Sequence, residues 1–169
     1  MRTLVVGAAI VDLMMKVERL PKSGEDIPCK ETKTVVGGCA YNVANTLRNL
    51  KCEHDLCVPV GSGSFADIIR RGMKEKGYEP MIEEPGEDNG YCLSLVEADG
   101  ERTFITNRNG SLWKENIEHV NFDKIKEAKI LSLASIFNCP LLDGKTLEKI
   151  FSFAKEHGMT ITADMIMPR

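Results

Sequence analysis

No stretch of this 169-residue chain approaches the roughly 20 consecutive apolar residues of a membrane-spanning helix. No block of Lys and Arg marks a nucleic-acid face, and no basic amphipathic stretch marks a membrane surface. The net charge is −3, with both signs mixed along the chain. The start lacks a charged region followed by a leader-type apolar segment and a small-residue cleavage site, so a cytoplasmic protein is expected. Cys-x-x-Cys is absent: Cys29, Cys39, Cys52, Cys57, Cys92 and Cys139 are irregularly spaced in a chain that is not small, which predicts reduced thiols. His54, His119 and His157 are scattered without metal-ligand spacing, so no metal site is expected. Internal repeats and low-complexity segments are missing. So is the Gly-x-Gly-x-x-Gly of a dinucleotide fold, because Gly7 is followed by Ala8 and Ala9.

What remains is an ordinary globular composition, 43% hydrophobic and 28% charged, on a chain long enough for one domain with a real core. Its pattern alternates. Residues 4–11 read as a buried strand, and 38–50 as a helix with Ala40, Val43, Ala44, Leu47 and Leu50 on one face. Residues 56–60 read as a strand and 65–76 as a helix ended by Gly77. Residues 130–134 are a third strand. Residues 141–157 are a helix with Leu142, Leu147, Ile150, Phe151 and Ala154 inward and Gly158 as its stop, and 160–163 are a last strand. Short apolar strands alternating with helices predict an α/β protein, a parallel sheet covered by helices on both faces.

Two stretches break the rhythm. Residues 14–36 alternate irregularly among the turn formers Pro21, Ser23, Gly24 and Pro28. Residues 91–107 read as a β-hairpin turning at Ala98-Asp99-Gly100-Glu101. Both are expected to form a small second sheet. The last strand, at 160–163, has no following helix to cover it and leaves an open edge, so the chain reads as cut in mid-fold.

One residue disturbs the apolar pattern: Asp12, inside the run from Leu4 to Met15. A carboxylate buried there needs backbone donors, a cation or a ligand. About 25 residues on, Gly37-Gly38-Cys39-Ala40-Tyr41-Asn42-Val43-Ala44 places a glycine pair at a helix start with an Asn soon after. A carboxylate accepts two hydroxyl hydrogen bonds, and an amide both donates and accepts, so together they suit a polyhydroxylated molecule. Each residue also has a purely structural reading: a loop cap for Asp12, local first-turn bonding for Asn42, a tight turn for the glycines.

In order, Gly7-x-x-x-x-Asp12, Pro21-x-x-Gly24-Glu25, Gly37-Gly38-x-x-x-Asn42-x-Ala44 and Asp164-x-x-x-x-Arg169 resemble the N-terminal half of the ribokinase-like, PfkB-type carbohydrate kinases over essentially the whole chain. The resemblance implies one three-layer α/β domain over residues 1–169, with lid segments at about 13–36 and 90–107. It implies that Asp12 and Asn42 bind sugar hydroxyls and that Gly37 and Gly38 form a hinge beneath substrate and lid. Asn107 is expected to add a hydroxyl ligand, and Tyr91, Arg108 and Arg169 are further candidates; Arg108 would answer a substrate carboxylate. The resemblance also implies ATP and Mg2+ as cofactors, and a homodimer through the lid sheet.

The sequence departs from the family pattern in places. Lys51 stands where the family has Gly. Gly61-Ser62-Gly63-Ser64-Phe65-Ala66 lacks the Asp and second Gly of the family's Gly-x-Asp-x-x-Gly loop. Ala134 stands about where ribokinase proper has a substrate-binding Glu. Neither the family's Gly-Ala-Gly-Asp catalytic motif nor a Walker loop occurs, so the catalytic base and nucleotide site are expected beyond Arg169. Two readings follow: the acceptor-binding side and lid of an ATP-dependent sugar or nucleoside kinase, inactive alone, or a non-catalytic sugar- or nucleoside-binding module complete at 169 residues.

Overall fold

Every residue of the first strand, β1 (Thr3–Val6), is buried, and its side chains alternate between two apolar clusters. Leu4 and Val6 point to one side and Val5 to the other, as the two-residue period of a strand requires. The computed structural model describes residues 1–107, 112–113, 127–136, 139 and 144–164. In it, β1 lies inside a parallel sheet with β4 (His54–Cys57), β9 (Ile130–Leu133) and β10 (Thr160–Ala163), ordered β10-β9-β1-β4. A second sheet, ordered β3-β2-β7-β8, joins β2 (Ile10–Lys16), β3 (Glu31–Gly37), β7 (Tyr91–Val96) and β8 (Arg102–Thr106). A two-strand piece pairs β5 (Pro59–Val60) with β6 (Ile82–Glu83).

Helices cover both faces of the parallel sheet. On one side α1 (Cys39–Asn49) and α2 (Ser64–Glu75) bury Ala40, Tyr41, Ala44, Ile69 and Met73 against Val5, Leu56 and Val58. On the other, α3 (Gly144–Glu156) buries Ile150 and Ala154 against Leu4, Val6, Leu131 and Leu133. Each Val, Leu, Ile or Met side chain so removed from water contributes about 1.5–3 kcal/mol. The predicted α/β architecture and the second sheet are both present.

Four expectations need correcting. Residues 4–11 are not one strand: the chain turns at Gly7–Ala9, leaving the parallel sheet after Val6 and entering the second sheet at Ile10. The Gly7 carbonyl accepts the Trp113 indole N–H at 2.6 Å instead of continuing a ladder. Hydropathy misses this break because the residues on either side of it, Val5 and Val6 before and Ile10 and Val11 after, are all apolar. Residues 56–60 likewise divide into β4 and β5. Leu50 is not on the packed face of α1; it is 67% exposed, just past the helix end. Phe151 is not inward but 38% exposed, since it sits about 100° round α3 from the buried Ile150. Residues 141–143, including Leu142, lie outside the described residues.

The helix stops at Gly77 and Gly158 and the turn at Gly100 fall where the sequence puts them. Glu25 of the Pro21–Glu25 motif fastens its turn. It accepts from the Arg19 guanidinium at 2.7 Å and, more weakly, from the Lys22 N–H at 2.9 Å, which hold its carboxyl down to about 2. β10 forms one border of the parallel sheet, and its residues are exposed.

Candidate functional site

Strand pairing decides what stands beside Asp12. Its register is Asp12 opposite Val35 of β3 and Cys92 of β7, with Thr106 of β8 opposite Cys92. Directly paired residues share a face, so Val35, Asp12, Cys92 and Thr106 form one row across the second sheet. Thr106 Oγ1 donates to Cys92 Sγ at 3.2 Å, tying the row together. The Asp12 carboxylate makes no hydrogen bond or ion pair among the described residues. With no donor to offset it, burial pushes its carboxyl above the ordinary aspartate range.

Gly37 ends β3 beside this carboxylate. A Cβ at Gly37 would run into Asp12 Oδ2, so a notch one methyl group deep is reserved for the acid. Gly38 follows with φ +95, and a Cβ there would stand 2.5 Å from Ala8 O, so only glycine fits the close approach. Among the described residues no side chain caps the first amides of helix α1, and its first turn carries no acidic residue. Its N-terminal donors and partial positive charge are therefore spent on no described side chain. Asn42 lies one turn in and is exposed; its backbone carbonyl accepts from Thr46 Oγ1, while its carboxamide makes no bond among the described residues. Neither Asp12 nor Asn42 is consumed by the local capping that either could have served.

The other predicted residues are placed differently. Tyr91 pairs with Val11, faces the opposite side of the sheet from Asp12, and packs on Phe65 with ring centroids 5.1 Å apart. Asn107 is exposed and follows Thr106, its N–H donating to Tyr91 O at 2.9 Å, which sets its backbone beside Tyr91 and one residue past the Asp12 row. Arg108 and Arg169 lie outside the described residues. Ala134 is buried just past the end of β9, where its methyl supplies no hydrogen bond. Cys57 is fully buried, which pushes its thiol up to about 12 and removes it as a nucleophile.

The second glycine-rich helix start is built the other way. Asp88 reaches across to the amides of Phe65 and Ala66 at 3.2 and 2.8 Å, capping α2. Its carboxyl also fills the space above Gly63, where a Cβ would stand within 3 Å of it. The Gly61–Gly63 loop thus holds a carboxylate of its own chain and is no cradle for a nucleotide phosphate. No group of three or more His, Cys, Asp and Glu converges among the described residues. Asp88 and Asn89 escaped the sequence reading, though the turn-forming run Asp88-Asn89-Gly90 before a strand was the available signal.

The model of the pfkB family carbohydrate kinases matches residues 2–169. The uncharacterized sugar kinase YegV of Escherichia coli (strain K12) is 44% identical over 103 residues, 61% of this chain and 32% of that protein. The ribokinase of Arabidopsis thaliana is 25% identical over 136 residues, 77% of this chain and 36% of its own. Among solved structures, the ribokinase of Giardia lamblia superposes with TM-score 0.79 at 20% identity, over 99% of this chain and 52% of that one. A. thaliana ribokinase complexed with ribose and ATP gives 0.77 at 21%, over 96% and 53%. The chain thus spans about half the length of the solved structures it matches, and about a third of the two relatives. No helix among the described residues is long and apolar enough to cross a membrane.

Proposed function

The chain belongs to the pfkB family of carbohydrate kinases, and on that premise we propose that the protein transfers a phosphoryl group from ATP to a hydroxymethyl group of a sugar or nucleoside. This chain supplies the acceptor side. The observation that carries the reading is the unspent Asp12 carboxylate, held in the Gly37 notch near an uncapped helix start that bears Asn42.

Two acceptor hydroxyls donate to Asp12. Their hydrogen bonds supply what burial withholds and return its carboxyl toward the ordinary range. Asn42 accepts and donates to neighbouring hydroxyls, fixing which carbon presents its hydroxymethyl group. The second sheet, on residues 13–36 and 90–107, acts as a lid that excludes water from the acceptor. Phe104, 57% exposed on the Asp12 face of that sheet, closes over the acceptor or packs against a second copy in a lid-to-lid dimer. ATP supplies the phosphoryl group with Mg2+; its site and the general base belong to sequence beyond Arg169.

The test uses the protein expressed from its complete gene. Its intact mass is measured, and ATP consumption is followed against a panel of pentoses, hexoses, sugar acids and nucleosides. Acceptor-dependent phosphorylation by a protein well above 18.8 kDa is expected. Acceptor binding without ATP turnover by a protein of that mass would instead establish the binding-module reading.

A further inference from the structure

Asn89 is 2% exposed and lies in the stretch that leads from the α/β body into β7. Its side chain joins three other segments. Oδ1 accepts from the Gly61 N–H at 2.9 Å; Nδ2 donates to Pro59 O at 3.2 Å and reaches Ala9 O at 3.5 Å. Ala9 is the last residue before β2, and Asp12 is the third residue of that strand. The next residue, Gly90, accepts the Val11 N–H at 3.1 Å through its carbonyl, and Tyr91 then pairs with Val11. On the other side, Glu87 O takes the Ser62 N–H at 2.7 Å and Asp88 caps α2. Residues 87–90 therefore bind the root of β2, the root of β7 and the start of α2 into one joint.

We propose that Asn89 is a positioning residue for Asp12: its buried amide fixes the Ala9–Val11 segment to the body and so sets where the Asp12 carboxylate stands. A buried amide with a donor and an acceptor both in use is costly to replace, because removing it strands the Gly61 N–H. The loss is directional as well. Freed at Ala9, β2 shifts along β7, and a shift of about 1 Å at a binding carboxylate is enough to cost up to about a hundredfold in turnover. This inference rests on Asp12 being the acceptor ligand.

The test compares wild-type full-length protein with Asn89→Ala and with Asn89→Ser, which keeps one hydroxyl that both donates and accepts. Two readouts are taken: KM for the acceptor and for ATP, and amide hydrogen exchange at Gly61 and Val11. The expected result in Asn89→Ala is an acceptor KM raised about tenfold or more with ATP KM within twofold, exchange faster at both amides and unchanged in β4, and Asn89→Ser between the two proteins. An unaltered acceptor KM, or an equal rise in both KM values, overturns the inference while leaving the kinase reading intact. Should the wild type phosphorylate nothing, the kinase reading falls and exchange decides alone: faster exchange confined to Gly61 and Val11 supports the joint, and unchanged exchange refutes it.

Discussion

Two helices in this molecule start from glycine-rich turns, and their N-termini have opposite fates. At α1 the turn Gly37-Gly38 leaves the first amides without a side-chain cap among the described residues and opens a notch for Asp12. At α2 the turn Gly61-Ser62-Gly63 is closed by Asp88 from 23 residues along the chain, bonded to Phe65. Each start has a carboxylate at hand. Asp88 spends its charge on helix amides, which stabilises the fold. Asp12 spends its charge on nothing in the described structure, which costs stability and leaves a hydrogen-bonding group for something else. The difference teaches that a glycine-rich helix start is a site only where its donors and its neighbouring acid are left unsatisfied.

Substitutions can break this contrast. Of the substitutions that leave the Asp12 carboxylate in place, Gly37→Ala should have the largest effect. The added methyl drives the Asp12 carboxylate from its notch, and acceptor kcat/KM in the full-length protein should fall about 10–100-fold with ATP KM unchanged. Asp88→Ala should act on the other helix, lowering stability in denaturant unfolding by about 1–2 kcal/mol as the α2 cap is lost. Acceptor KM should stay within twofold.

Asp12→Asn should raise stability by about 0.5–1 kcal/mol at neutral pH. The sign follows from the raised folded-state carboxyl. Wild type and variant should match below about pH 4, where Asp12 is protonated whether folded or unfolded. The gap should open as pH rises through the folded-state value, where the wild type loses the stabilisation that the protonated acid gave. Unfolding midpoints across that range read it out.

The smallest effect concerns the far end of α1. Lys51 holds φ +56 there, with its N–H on Arg48 O and the Cys52 N–H on Leu47 O. A left-handed residue after a helix favours glycine, so Lys51→Gly should add about 0.5–1 kcal/mol and leave acceptor kinetics untouched.

Much of this was legible in the sequence. The helices, the hairpin and the sheet order class follow from periodicity, and Asp12 stood out as an acid in an apolar run. The break at Gly7–Ala9 was not legible, because β1 and the start of β2 are both apolar and hydropathy does not record which sheet a residue joins. That hid the fact that Asp12 belongs to the second sheet, with Cys92 and Thr106 in its row. Those neighbours depend on register, which pairs residues some 80 and 14 positions apart. Asp88 and Asn89 were hidden for a related reason. They act on helix and strand starts distant in sequence, and no local pattern announces a cap delivered from another segment.

The most direct test of the account is acceptor affinity in the full-length protein, measured by titration calorimetry for Asp12→Ala and Asp88→Ala side by side. The account predicts roughly a hundredfold loss or more for Asp12→Ala, from two charge-assisted hydrogen bonds, and wild-type affinity for Asp88→Ala. Wild-type affinity in Asp12→Ala would contradict it and move the acceptor away from the start of α1.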